Sequence, residues 1–292
     1  LSIISGLMEA GPDRHVLAAG SSGIYGGTIR IALAQEVKGL DPILYSDEAT
    51  LWVSSQIYDT LVRYRKGNFG IEPALAESWE VSGDARVWTF NLRRGVRFHD
   101  GYPFNARAVV FNFERWMNRG NPFHPGRSQA WAHFFKGFPG IVSSVTAVDE
   151  FTVRIVLSEP YAPLLSVLAM PMFGIASPMA IRIQGDAYAF KPCGTGPFQL
   201  EEWSPAESGS PAANGSIVLK ANERYWGGRP YLDRVVIGYP RFRSGSSSPA
   251  FAGVLPLEGA QLFLGAPAHR GPDLLKALKP GSHLYLRPGR AV

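Results

Sequence analysis

The sequence predicts a protein of mixed α/β or α+β class. Strand-like runs outnumber helical ones, helical patterns are interspersed among them, and the connections are long and rich in Pro, Gly, Ser and Asn. No internal repeat of solenoid or propeller length breaks this pattern.

The elements follow in chain order. Residues 1–26 are small, polar and Gly-rich and read as a mobile lead-in. TIRIALA (28–34) is β-branched and reads as the first strand. Asp41-Pro42 favours a turn, after which Ser46 or Asp47 caps a helix with apolar positions Leu51, Tyr58, Leu61 and Val62. VWTFNL (87–92) alternates between two faces, with Ser82-Gly83-Asp84 turning before it and His99-Asp100-Gly101 after it. Asn105 suits the N-cap of ARAVVFNFERWM, in which Val109, Phe113, Trp116 and Met117 share a face. Residues 143–157 form a hairpin around Asp149-Glu150, and Pro163 opens a short helix. FQLEEW, SIVLKA and RVVIGY are three further strands; RSGSSSPAFAG (243–253) reads as a linker, PDLLKALK as a helix and HLYLR as a strand.

Composition narrows the function classes. The 292 residues are 46% hydrophobic and 18% charged, enough for one large or two ordinary globular domains. The net charge of +5 is dispersed. Its tightest group, Arg93, Arg94 and Arg97, reads as a solvated face, and with no basic helix beside it no nucleic-acid partner is expected. No apolar run approaches the ~20 residues that span a bilayer. The first residues lack the basic-then-apolar order of a secretory signal and do not begin with Met.

Local motifs offer little catalytic chemistry. Cys193, the lone cysteine, sits in KPCGTGPFQL (191–200) with Lys191 near, but Pro192 and the following Gly-Thr-Gly-Pro argue against the helix N-terminus that would activate a thiol, and a histidine base would have to come from far away in sequence. Gly194-Thr195-Gly196 precedes Pro197 and a strand, so it lacks the donors and the helix of a phosphate loop. His99, His124 and His133 show no metal-site spacing, and no Gly-x-Ser-x-Gly elbow is present. Neither metal nor cofactor is expected. Aromatic residues make up 12% of the chain, and Tyr45, Phe123, Trp131, Phe134 and Phe138 fall in apparent loops; Tyr45 and Trp131 are the candidates for ligand contact.

Taken together, ALAESWEVSGDARVWTFNLRRGVRFHDGYPFNARAVVFNFERW, NPFH, SSVTAVDEFTVRIVLSEPYAPLLSVLAM, CGTGPFQLEEW and ANERYWGGRPYLDRVVI resemble the family 5 extracytoplasmic solute-binding proteins of ABC importers. The order and spacing hold over about residues 27–240, and the details are most similar to the dipeptide-binding branch. The resemblance implies a periplasmic binding protein-like clamshell of class II type. Residues 27–75 and 190–240 would form the main domain of the first lobe, and residues 76–189 an inserted domain. Residues 241–292 would be a linker and the start of a truncated second lobe.

It further implies a non-enzymatic protein in the periplasm or outside the cell. Its partners would be a peptide or small solute and a membrane permease. Tyr45 and Ser46, in the loop after the first strand, would face the ligand, as would Trp131. Gly194 and Gly196 would supply unusual backbone angles, and Pro197 would fix the entry to the next strand. The peptide-clamping groups of a second lobe have no counterpart here, and the main sheet is expected to keep an uncovered edge or apolar face. The alternatives are a hydrolase on the same scaffold and a non-transporting remnant or interaction module.

Overall fold

The computed structural model describes residues 25–65, 67–126, 130–205 and 214–239, and the backbone of the short strands 262–264 and 283–284. Its largest sheet has six strands: β1 (Thr28–Leu33), β8 (Phe198–Ser204), β9 (Gly215–Ala221), β10 (Arg234–Tyr239), β11 (Leu262–Leu264) and β12 (His283–Leu284). Their spatial order is β12-β11-β1-β10-β9-β8. β1 lies parallel to both β10 and β11, with Ile31 opposite Ile237 and Leu262. β9 runs antiparallel between β10 and β8. Hence β1, β8, β10 and β11 all end on the same edge of the sheet.

The predicted strands in this sheet all form. β11 was not anticipated; it pairs parallel with β1 on the side opposite β10. Three leucine- and phenylalanine-containing residues between glycines and prolines carry too little pattern to mark a strand without a partner. PDLLKALK and the linker around 243–253 lie outside the described residues.

The chain leaves β1 through a 3-10 turn (Pro42–Leu44) into α1 (Glu48–Ile57). Asp47, one of the two caps considered, accepts from the Thr50 amide at 3.0 Å. The apolar spacing extends this helix through Val62, but it stops at Ile57, and Val62–Tyr64 is instead strand β2, paired with β3 (Ile71–Pro73). Tertiary contacts override helical periodicity here. The Ile57 carbonyl accepts from the Gly196 amide at 2.9 Å, and the Tyr58 hydroxyl donates to the Leu40 carbonyl at 2.8 Å.

A four-stranded antiparallel sheet follows, ordered β4-β5-β7-β6. It comprises β4 (Ala76–Val81), β5 (Val87–Leu92), β6 (Val142–Ala147) and β7 (Thr152–Leu157). Trp88, Phe90 and Leu92 of β5 and Val153, Ile155 and Leu157 of β7 turn inward, as their alternation predicts. Against them packs α2 (Ala106–Met117), whose Asn105 cap accepts from the Ala108 amide at 3.1 Å. Each fully buried Phe or Trp in this layer contributes roughly 2–3 kcal/mol. The short helices α3 (Ala130–Phe135), α4 (Leu164–Leu168) and α5 (Pro178–Gln184) complete the packing before the chain re-enters the large sheet at β8.

Candidate functional site

In open sheets with parallel strands, ligands bind beyond the carboxyl ends of the strands, where connections diverge. Here β1 and β10 are neighbours. The connection from β1 leads into α1, whereas the chain after β10 next joins the sheet on the far side of β1, as β11. That edge therefore carries the candidate site.

The edge is built from glycines over which aromatic rings lie. A Cβ on Gly39 would fall 2.4 Å from the Tyr45 ring, and one on Gly215 would fall 2.2 Å from the Tyr239 ring. Glycine at these positions lets an aromatic ring lie directly on the backbone. Tyr45 is half-buried in this way, and Ser46 next to it is exposed. The Trp203 indole N–H, at the end of β8, donates to the Tyr239 hydroxyl at 2.7 Å. Burial pushes the Tyr239 phenol up to about 12, reinforced by the nearby Glu36 carboxylate and opposed by the Trp203 bond. Gln35 and Lys38 are exposed on the segment that leaves β1. Tyr239 is itself buried; what the edge presents is the half-buried rings of Tyr45 and Trp203, the exposed Ser46 hydroxyl and the Glu36 carboxylate, a set suited to holding a polar ligand by hydrogen bonds and stacking.

Trp131 lies elsewhere. It has no exposed surface, donates to the Pro139 carbonyl at 3.0 Å, and packs among Phe113, Trp116, Phe135 and Phe173. It sits on α3, not in a loop, and acts as a core residue, so it offers no surface to a ligand. Phe134 shares that helix. Six helical residues flanked by glycines and prolines hold too few turns to show a period, so the sequence pattern reads as a loop.

The crossover into β8 is a joint, but the glycines serve it differently from the expectation. Neither Gly194 nor Gly196 has a positive φ. Both instead lie against the end of α1, where a Cβ would come within 2.2 Å of the Ile57 oxygen at Gly194 and 2.6 Å of its carbonyl carbon at Gly196. Pro197 is buried directly before β8, and its carbonyl accepts from the Asn222 amide at 2.8 Å.

Sequence reasoning missed two side chains that lock this joint. His99 accepts from the Gly194 amide through Nδ1 at 3.4 Å and reaches the Gly196 carbonyl through Nε2 at 3.0 Å. That bonding fits the neutral tautomer with the proton on Nε2, and burial holds the ring down to about 4. Asp59 accepts from the Thr195 hydroxyl at 2.8 Å, the Tyr225 hydroxyl at 3.0 Å and the Trp226 indole at 2.8 Å. The only sequence signal for either was an unexplained polar residue next to apolar ones.

Cys193 is buried at the floor of an open hollow of about 650 Å³ between α5 and β8, bordered by Met179, Ile183 and Phe190. Burial, with the Asp100 carboxylate beside it, pushes the thiol up to about 12. His99 has both ring nitrogens committed to the crossover backbone. A thiol so held has neither thiolate character nor a base. Among the described residues, no group of three His, Cys, Asp or Glu side chains is placed to hold a metal ion. The arginine group is also more engaged than a solvated face: Arg93 lies 4.5 Å from the Trp226 ring and Arg94 4.5 Å from the Phe151 ring.

The arrangement is that of a binding fold of the periplasmic binding protein type. Residues 70–240 match the family described as Bacterial extracellular solute-binding proteins, family 5 Middle, and the chain belongs to this family. It is 34% identical over 245 residues to the dipeptide-binding protein of Escherichia coli K12, a match that covers 80% of this chain and 44% of that protein. It is 37% identical to heme-binding protein A of Haemophilus influenzae, covering 68% of this chain and 37% of that one. Among solved structures, it resembles the ABC transporter-associated periplasmic binding protein DppA from Helicobacter pylori in complex with the peptide STSA. That likeness has a TM-score of 0.67 and 35% identity and covers 74% of this chain and 43% of the other. The chain spans less than half the length of these relatives. Among the described residues, no helix is long and apolar enough to cross a membrane.

Proposed function

We propose that this chain supplies the first-lobe half of a substrate-binding component of an ABC importer. The component captures di- or oligopeptides outside the cytoplasmic membrane and passes them to a permease. The observation that carries this reading is the carboxyl edge of the large sheet, with Tyr45, Ser46 and Glu36 around the divergence of β1 and β10. Relatives named for dipeptides, and one held in complex with a peptide, support the ligand class. The residue division into a main domain (27–75, 190–240) and an inserted domain (76–189) is part of the proposal. It is supported by the separation of the six- and four-stranded sheets.

The mechanism is enclosure without chemistry. Backbone hydrogen bonding holds an extended peptide, and closure over it excludes water. The raised Cys193 thiol and the committed His99 support a binding role over hydrolysis. With one lobe's contacts, affinity is expected to be weak, because the ordering cost of binding is met by only half the groups. Calorimetric titration with mixed di- and tripeptides tests the reading. A saturable response with a Kd above about 100 μM is expected. No response to peptides together with saturable binding of a sugar would overturn it, and micromolar peptide affinity would refute the half-site.

A further inference from the structure

The geometry points to Arg115 as the residue that positions the ligand-facing segment 39–46, through a buried ion pair with Asp41. The inference rests on the reading of that segment given above. Asp41 and Arg115 are 2% and 4% exposed. Arg115 donates from both terminal nitrogens to the two Asp41 carboxylate oxygens, and from Nε to the Phe123 carbonyl at 2.9 Å. The two residues are 74 positions apart: Asp41 precedes the 3-10 turn after β1, and Arg115 lies in the last turn of α2.

The pair sits at the base of the segment that carries Tyr45. Just before it, the Leu40 amide donates to the Ala189 carbonyl at 2.6 Å and the Leu40 carbonyl accepts from Tyr58 at 2.8 Å. Just after it, the Asp41 carbonyl accepts from the Leu44 amide at 3.1 Å, closing the turn that places the Tyr45 ring over Gly39. These bonds fix the backbone on either side, and the guanidinium fixes the Asp41 side chain and ties the segment to the last turn of α2. A forked donor meeting a carboxylate at two points sets orientation as well as distance. Buried pairs of this kind add little net stability compared with an apolar replacement, which leaves orientation as what this pair supplies.

The test separates orientation from stability. Thermal melts and hydrogen–deuterium exchange are measured on the full 292-residue chain, wild type, Arg115→Lys and the double variant Asp41→Leu/Arg115→Met. The double variant is expected to melt close to wild type while amides 39–47 exchange at least about tenfold faster, with those of β5 and β7 unchanged. Arg115→Lys keeps the charge but loses the fork, and is expected to show the same local acceleration to a smaller degree. Wild-type exchange at 39–47 in either variant overturns the proposal. No ligand enters these measurements, so a wild-type chain that ignores peptides but passes them refutes only the peptide reading.

Discussion

His99 shows how one side chain can make a joint sensitive to pH. Its neutral ring bridges Gly194 and Gly196, and its folded value of about 4 lies below the ordinary 6.5. Above pH 6.5 the ring is neutral in both folded and unfolded chains, and its bonds contribute fully. As pH falls from 6.5 towards 4, the unfolded chain takes up a proton that the folded chain refuses, and stability drops. Urea melts at pH 7 and pH 5 are expected to differ by at most about 2 kcal/mol from this residue. In His99→Gln that part of the difference disappears; an unchanged pH dependence in the variant would assign the effect to other groups.

At the scale of elements, the crossover and the end of α1 specify each other. The glycines at 194 and 196 face the Ile57 carbonyl so closely that any side chain displaces one backbone from another. Gly196→Ala is therefore expected to cost about 3 kcal/mol, and Gly83→Ala, which meets open space at an ordinary φ, less than about 1 kcal/mol. Equal losses in chemical denaturation would show that packing against α1 is not the cause. The same contact explains what the sequence conceals. VWTFNL, the hairpin at 143–157 and the Asn105 cap were legible because their patterns are local: alternation, turn residues and a side-chain oxygen next to orphan amides. The end of α1 was not, because Leu61 and Val62 continue a helical period that Gly196, Tyr188 and Thr195 interrupt from far away in sequence. Tyr45 is nominated as an aromatic in an apparent loop and again by resemblance, Ser46 by resemblance alone. Trp131 misled because an aromatic residue between glycines and prolines looks the same whether it faces solvent or an aromatic core.

At the scale of the molecule, a six-stranded sheet and a four-stranded, helix-backed sheet are tied by His99 and Arg115. These carry bonds from the smaller layer to Gly194 and Asp41. Such satisfied buried contacts hold the carboxyl edge of the large sheet in a fixed relation to the rest, as a preformed ligand surface requires. On the function proposed above, this edge is where a peptide meets the chain. The most direct measurement is a residue-resolved NMR titration of the 292-residue chain with a dipeptide mixture at millimolar concentration. Saturable shifts are expected at the amides of residues 35–47. Shifts confined to Met179–Gln184 and Phe190, around the hollow beside β8, or no saturable shift at all, would contradict that function.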